Sequence, residues 1–292
     1  MFQAQTRREW LKTVVISAAG AAVVGRQAGA GETPPAGDPP YRLYAMDTGL
    51  RGPDTPTPET KAALLKKLGY AGMEYTFGDR KLPETLAALD KEGLEFVGMY
   101  LFPTLEGEID KHLAEELPLL KGRKARIELA INSREFKPSD PAGDAKAADI
   151  INRVADLCGD AGPVVSIYPH RGSWTERVED GVRLAKRIKR PTVGTNFNLV
   201  HWQWVTPAKP ADELLAEALP HLFAVTINGL DKGRIVSLDE GDFDVAGFMA
   251  SVKKAGYKGP VGLQGYGIAG PSETHLARSM TKWREIMKAL GK

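Results

Sequence analysis

A few histidines, carboxylates and amides carry whatever proton chemistry this chain performs. His170 follows Tyr168-Pro169 and precedes Arg171-Gly172, between a strand-like run and a turn. An imidazole, with an unperturbed pKa of about 6.5, can serve there as general acid or base. His201 stands three residues after Asn198, beside Trp202 and Trp204. Glu74 closes another apolar run, where a carboxylate can abstract a proton next to a carbonyl or hold a hydroxyl. Asn198, Asn228 and Gln264 end three further runs. Their amides both donate and accept, as hydroxyl recognition requires. Arg171 suits a phosphate or carboxylate. Trp174, Trp202, Trp204 and Tyr266 follow the same runs, and an aromatic face there suits the apolar face of a sugar ring. Each residue also has a plainer role. His201 can be a packed histidine, His170 a loop histidine, Glu74 half of a salt bridge, Arg171 a solvated charge and the aromatics core. His112, His221 and His275 fall in helical or pre-strand positions and read as structural.

These candidates share one position: each stands at or just past the end of a short apolar run. Eight such runs are predicted as strands, at 41–47, 70–75, 94–100, 125–132, 163–168, 192–198, 222–228 and 260–264. Between them apolar residues recur three and four apart, as in 60–68, 177–188 and 246–255, which predicts helices. Strands alternating with helices imply parallel pairing through crossovers, and eight units close into a single-domain (β/α)8 TIM barrel. The runner-up is a doubly wound open sheet. It would carry a glycine-rich phosphate turn after its first strand, and Asp47-Thr48-Gly49-Leu50-Arg51-Gly52 is not one. In a barrel the chemistry sits at the C-terminal ends of the strands. Strand alternation also places Arg126 and Glu128 on one face of the fourth strand, where they pair inside the barrel.

The first 30 residues are set aside from the fold. Thr6-Arg7-Arg8-Glu9-Trp10-Leu11-Lys12 resembles a twin-arginine export signal, followed by an apolar run and Ala28-Gly29-Ala30 for a signal peptidase. That run, 13–25, falls short of the ~20 residues that cross a bilayer. Residues 31–40 are rich in proline and glycine and read as a linker, leaving 41–292 for the barrel. The expected location is therefore the periplasm or another exported compartment, with the membrane a partner only until cleavage. An uncleaved anchor is the rival. A formal charge of +2 and no basic cluster interleaved with aromatics argue against nucleic acid as a partner. The one cysteine, Cys158, excludes an intramolecular disulfide and reads as a small, packed residue.

At the strand ends the chain resembles the xylose isomerase-like TIM-barrel family of sugar-phosphate isomerases and epimerases. Leu68-Gly69-Tyr70-Ala71-Gly72-Met73-Glu74 resembles its second strand, Val164 to His170 its fifth, Val193 to His201 its sixth, and Gly256-Tyr257-Lys258-Gly259-Pro260-Val261-Gly262-Leu263-Gln264 its eighth. The resemblance implies the barrel fold, a carbohydrate substrate and, in many members, a divalent metal held by carboxylates and a histidine. Here Tyr168, Asn198, Thr226 and Gln264 stand where the metal ligands are usual, and only His170 and His201 remain. A hard divalent ion needs oxygen ligands with negative charge among them. Two histidines with Asn198 and Gln264 suit at most a weakly held, softer ion such as zinc. The reading is therefore an isomerase- or epimerase-like enzyme acting by proton transfer, with no metal ligand and no cofactor assigned. His170, Glu74 and His201 carry the catalytic role. Asn198, Gln264, Asn228, Arg171, Trp174, Trp202 and Tyr266 hold a small-molecule carbohydrate. Lyase or hydrolase chemistry on a modified sugar is a variant of this reading. A non-catalytic carbohydrate- or partner-binding barrel is its rival.

Overall fold

The structure, a computed structural model, describes residues 41–159, 162–205 and 209–291. The expected export signal and linker lie outside the described residues. The chain begins with β1 (Leu43–Met46), α1 (Pro58–Leu68), β2 (Gly72–Thr76), α2 (Leu82–Glu92), β3 (Glu95–Leu101) and α3 (Lys111–Glu116). It continues with β4 (Arg126–Leu129), α4 (Asp144–Cys158), β5 (Val164–Ile167), α5 (Val178–Ile188), β6 (Val193–Asn198), α6 (Leu199–Trp204) and α7 (Ala211–Ala218). It ends with β7 (Leu222–Ile227), β8 (Gly229–Asp231), β9 (Arg234–Val236), α8 (Val245–Ala255), β10 (Val261–Leu263) and α9 (Ser272–Leu290). Eight strands close in the order β1-β10-β7-β6-β5-β4-β3-β2, and each pair is parallel. Closure rules out the open sheet. The eight predicted runs each contain or overlap one barrel strand. The β8–β9 hairpin is antiparallel and stands apart from the barrel. Sequence reading did not separate it from the loop after β7.

Local chemistry explains where elements start and turn. α1 opens on a capping box: Thr57 accepts the Thr60 backbone N–H at 3.3 Å, and Pro58 takes the first helical position. It ends on Gly69 at φ 87°, a left-handed conformation that glycine adopts without a Cβ penalty. In α5 the buried Val178, Val182, Leu184 and Ala185 form the stripe that covers β5 and β6. The outward residues of the strands join that helix layer, as Met73, Tyr75, Ile127 and Leu129 show. The inward ones form a separate cluster of Tyr44, Met46, Val97, Tyr100, Ala130 and Tyr168.

The interior of the barrel is charged as well as apolar. Glu74, Arg126 and Glu128 are all buried there. The Arg126 Nε donates to Glu128 Oε1 at 2.9 Å, and another guanidinium nitrogen donates to the Tyr44 hydroxyl at 3.1 Å. This is the pair expected from strand alternation. Glycine at 262 makes room for it, because a Cβ there would overlap the Tyr44 ring. Two carboxyls face one guanidinium, so a single proton brings the cluster to neutrality. Glu74 is the carboxyl whose neutral form is favoured. Burial first, then the neighbouring Glu128, drive its pKa well above the usual carboxylate range, although Arg126 opposes the shift.

That protonation has a definite sign for stability. The folded state keeps the Glu74 proton at pH values where the unfolded chain has lost it. The stabilisation is complete below the unfolded pKa of about 4.3 and falls as pH rises toward the folded value. Glu74→Gln retains the neutral shape, so its urea-unfolding stability should decline less than that of the parent between about pH 5 and pH 9. Equal slopes would remove the protonated-Glu74 assignment. Arg126→Met leaves buried carboxyls without their cation and should lower unfolding free energy by about 3 kcal/mol in the same measurement.

Candidate active site

The site is assembled from β6 upward. Asn198 ends β6 and caps α6: its Oδ1 accepts the His201 backbone N–H at 3.2 Å. Its Nδ2 donates to the Tyr168 hydroxyl at the end of β5. One amide thereby fixes both a phenol and the turn that presents His201. The β5–α5 loop is anchored to the end of β4. The Thr175 hydroxyl accepts the Ile131 N–H at 2.9 Å, and the Trp174 N–H donates to the Ile131 carbonyl at 2.8 Å. Inside that loop His170 donates its N–H to the Thr175 carbonyl at 2.9 Å, and Gly172 turns the chain at φ 85°. The two imidazoles meet across the mouth with ring centroids 4.1 Å apart. The backbone N–H of Arg171 donates to His201 Nδ1 at 3.3 Å. In the neutral ring the proton therefore resides on Nε2, which is buried and has no protein partner.

Electrostatics keep both rings neutral. Burial lowers the His170 pKa. Burial, then repulsion by His170 and Arg171, lowers that of His201 well below the usual value. An aromatic wall surrounds them. Tyr100 stacks on Tyr168 at 6.2 Å, Phe102 meets the His170 ring edge-on at 5.2 Å, and Trp204 meets His201 at 5.4 Å. Phe102 and Tyr266 remain 46% and 58% exposed, so large apolar faces are open at the rim. On the β1–β2 side Asp47 accepts the Thr76 backbone N–H at 3.0 Å and the Thr76 hydroxyl. The Thr76 hydroxyl lies 2.7 Å from that of Tyr100. Burial raises the Asp47 pKa, against the lowering effect of the Thr76 hydroxyl.

The other sequence candidates separate into two groups. Gln264 accepts the Thr48 hydroxyl at 2.8 Å, and Asn228 donates to the Gly229 carbonyl at 3.0 Å, with its Oδ1 unpaired. Asn196 Nδ2 and Thr226 Oγ1 are likewise buried without a protein partner. Such atoms suit ordered water or a hydroxylated ligand. Arg171 is exposed and lies over the Trp204 ring at 5.9 Å. Trp174, expected to stack on a sugar, is instead a core residue. It is 1% exposed and donates its Nε1–H to the Asp140 carbonyl at 3.1 Å, leaving no free face. Trp202 also packs inward, on Phe197 at 6.0 Å. Trp204 takes the position at the mouth. Glu74 lies inside the barrel beside Glu128 rather than at the rim with His170. The sequence candidates omitted Thr76 and Phe102 from the site, and Asp47, which ends the first predicted strand, was given no role in it. Strand alternation was the available signal for Thr76, two residues beyond Glu74. Among the described residues, no three or more His, Cys, Asp or Glu side chains converge as a metal's ligand set. A separate cavity of about 510 Å³ is lined by outward-facing Met73 and Tyr75 with Arg51, Lys61 and Lys81, so β2 divides it from the barrel interior.

A closed parallel barrel with polar side chains gathered past the strand ends defines a (β/α)8 protein whose candidate site lies where such barrels carry theirs. The chain belongs to the xylose isomerase-like TIM-barrel family, whose model matches residues 62–290. No curated protein sequence matches it. Among solved structures it is similar to a D-allulose 3-epimerase from Methylomonas sp., at 13% identity, covering 84% of this chain and 98% of that one, with a TM-score of 0.70. It is also similar to a 3-keto-D-glucoside 4-epimerase from E. coli, at 15% identity, covering 84% and 99%, with a TM-score of 0.69. A third is a xylose isomerase-like barrel protein from Mycobacterium smegmatis in complex with magnesium, at 17% identity, covering 87% and 98%, with a TM-score of 0.61. At these identities the likeness concerns the fold.

The depressed His201 pKa also has a sign. The folded state resists protonation, so stability is present above the unfolded value of about 6.5 and is lost as pH falls below it. His201→Gln should lose less stability than the parent between about pH 6.5 and pH 4.5, read by thermal unfolding. A variant as acid-sensitive as the parent would count against a buried, neutral His201.

Proposed function

We propose that this chain is an exported carbohydrate isomerase or epimerase that moves a proton with His170, independently of a divalent metal. The observation that carries the reading is the contact of two neutral imidazoles at the barrel mouth, one of them with a free N–H. A neutral His170 takes a proton from the carbon next to a sugar carbonyl. The electron pair moves to the carbonyl oxygen, where the His201 Nε2–H stabilises the negative charge that develops. His170 then returns the proton to carbon. Asn198 sets the geometry of His201, and Gln264 and Asn228 line the space beneath. Phe102 and Tyr266 offer faces for a ring.

The family and the sugar epimerases similar in fold support a sugar-modifying role. The donor set supports metal independence: Tyr168, Asn198, Thr226 and Gln264 supply neutral oxygens, which do not balance a divalent charge. Glu74 enters as a proton-bearing interior group rather than as the base at the rim. With Glu74 favoured in its neutral form, the Arg126–Glu128 ion pair carries no excess charge, and His170 is the group at the mouth suited to accept a proton.

The test is proton exchange. Purified mature protein is incubated in D2O with a panel of aldoses, ketoses and their acids, and deuterium at the carbon beside the carbonyl is followed by NMR. Exchange should proceed at the same rate with excess chelator, and His170→Gln should slow it by about 10²-fold or more. Saccharide binding without exchange would favour a carbohydrate-binding barrel, and loss of exchange with chelator would restore a metal.

Export is tested separately. Replacing Arg7 and Arg8 with lysine should retain the chain in the cytoplasmic fraction as an unprocessed precursor, whereas the parent is recovered as a shorter, exported form. Equal export of both would exclude the twin-arginine route.

A further inference from the structure

We propose that the mouth recognises a carboxylate-bearing sugar and that Arg171 is the residue that selects it. This rests on the carbohydrate reading of the same site and adds the charge of the substrate. The observation is an organised guanidinium without an anionic partner. Among the described residues no carboxylate pairs with Arg171, and its one ring contact is with Trp204 at 5.9 Å. Trp204 is itself held, because its Nε1–H donates to the Gly233 carbonyl at 3.0 Å at the tip of the β8–β9 hairpin. The backbone of Arg171 is fixed on His201 Nδ1. Both ends of the residue are therefore positioned before a ligand arrives, which lowers the entropy lost on binding.

The surrounding charge points the same way. His170 and His201 are held neutral. Asp47 is occupied by Thr76 and lies 3.9 Å from Arg51, so its charge is already answered. The Arg171 charge is not. The guanidinium fork matches the two oxygens and single charge of a carboxylate, and leaves the His201 Nε2–H for the carbonyl oxygen. A phosphate dianion would call for more cations than these residues supply.

The experiment is calorimetric titration of the mature protein with matched pairs: D-glucose and D-glucuronate, D-galactose and D-galacturonate, and D-glucose with its 6-phosphate. At least one acid should bind about tenfold more tightly than its neutral parent, and the preference should shrink at high salt. Arg171→Gln should bring the affinity for the acid to that of the parent sugar, and Arg171→Lys should recover part of the preference, because it restores charge without the fork. Several results overturn the proposal: equal affinity for acid and neutral sugar, an unaltered preference in Arg171→Gln, or a preference for the phosphate. In each of those cases proton exchange on neutral sugars still supports the isomerase reading. If none of the sugars binds and none exchanges, both readings fall.

Discussion

The neutrality of the Glu74–Arg126–Glu128 cluster is the constraint on which the barrel depends. A closed sheet of eight strands turns half its strand residues inward, where water is scarce and an unpaired charge costs several kcal/mol. Glu128 and the Tyr44 hydroxyl hold the guanidinium, and the proton on Glu74 cancels what would otherwise be an excess negative charge. Apolar side chains could fill the same space, and buried ion pairs are not in themselves a source of stability. What this cluster does is tie β1 to β4 from inside through Arg126 and the Tyr44 hydroxyl, with Glu74 of β2 buried beside them. Outside, the helices hold the same strands by an ordinary apolar layer.

Rigidity at the bottom permits precision at the top. Tyr168 stands two residues beyond Ser166 on the inward face of β5, and Asn198 two beyond Asn196 on β6. Their register follows from strands held below them. Asn198 then converts strand geometry into helix geometry by capping α6, a helix of six residues too short to be stable by propensity alone. His201 is therefore placed by a hydrogen bond at the strand end and by packing on its neighbours. His170 comes from a loop pinned to β4 at two points. Two imidazoles from different crossovers thus meet within ring contact, in surroundings that keep both uncharged.

Much of this was legible in the sequence, for a physical reason. Buried parallel strands are short apolar runs, and amphipathic helices carry a period near 3.6, so their alternation declares a barrel. Strand alternation likewise placed Arg126 against Glu128. The ends of strands were legible too, which brought His170, His201, Asn198 and Gln264 into view. The loops were not. Trp174 and Trp204 lie seven and six residues past their strands, and nothing in residue type says which indole will face the mouth. The outcome turns on Asp140, whose carbonyl accepts the Trp174 N–H, and on the β8–β9 hairpin, whose strands of three residues are too short to show a period. Glu74 was placed on the right strand but at its catalytic end, whereas it lies in the middle of β2. Its depth was hidden, because the position of a residue along the barrel axis depends on the stagger between strands and not on its own sequence neighbours.

The two arginines of the site region show how depth decides what a charge is for. Arg126 is enclosed, so its charge must be matched in place, and the match consumes Glu128, Tyr44 and a proton. Arg171 is exposed, where water stabilises an unpaired guanidinium at little cost. A charge can therefore stay uncommitted only at the rim. The same reasoning applies to the histidines: burial disfavours their charged form, so in the proposed reaction they would contribute proton acceptance rather than ionic attraction. The barrel thus separates its electrostatic tasks by depth. Balanced charge lies in the interior, buried imidazoles lie at the mouth, and an arginine that pairs with no carboxylate among the described residues lies at the edge. That order is what the proposed anionic ligand rests on.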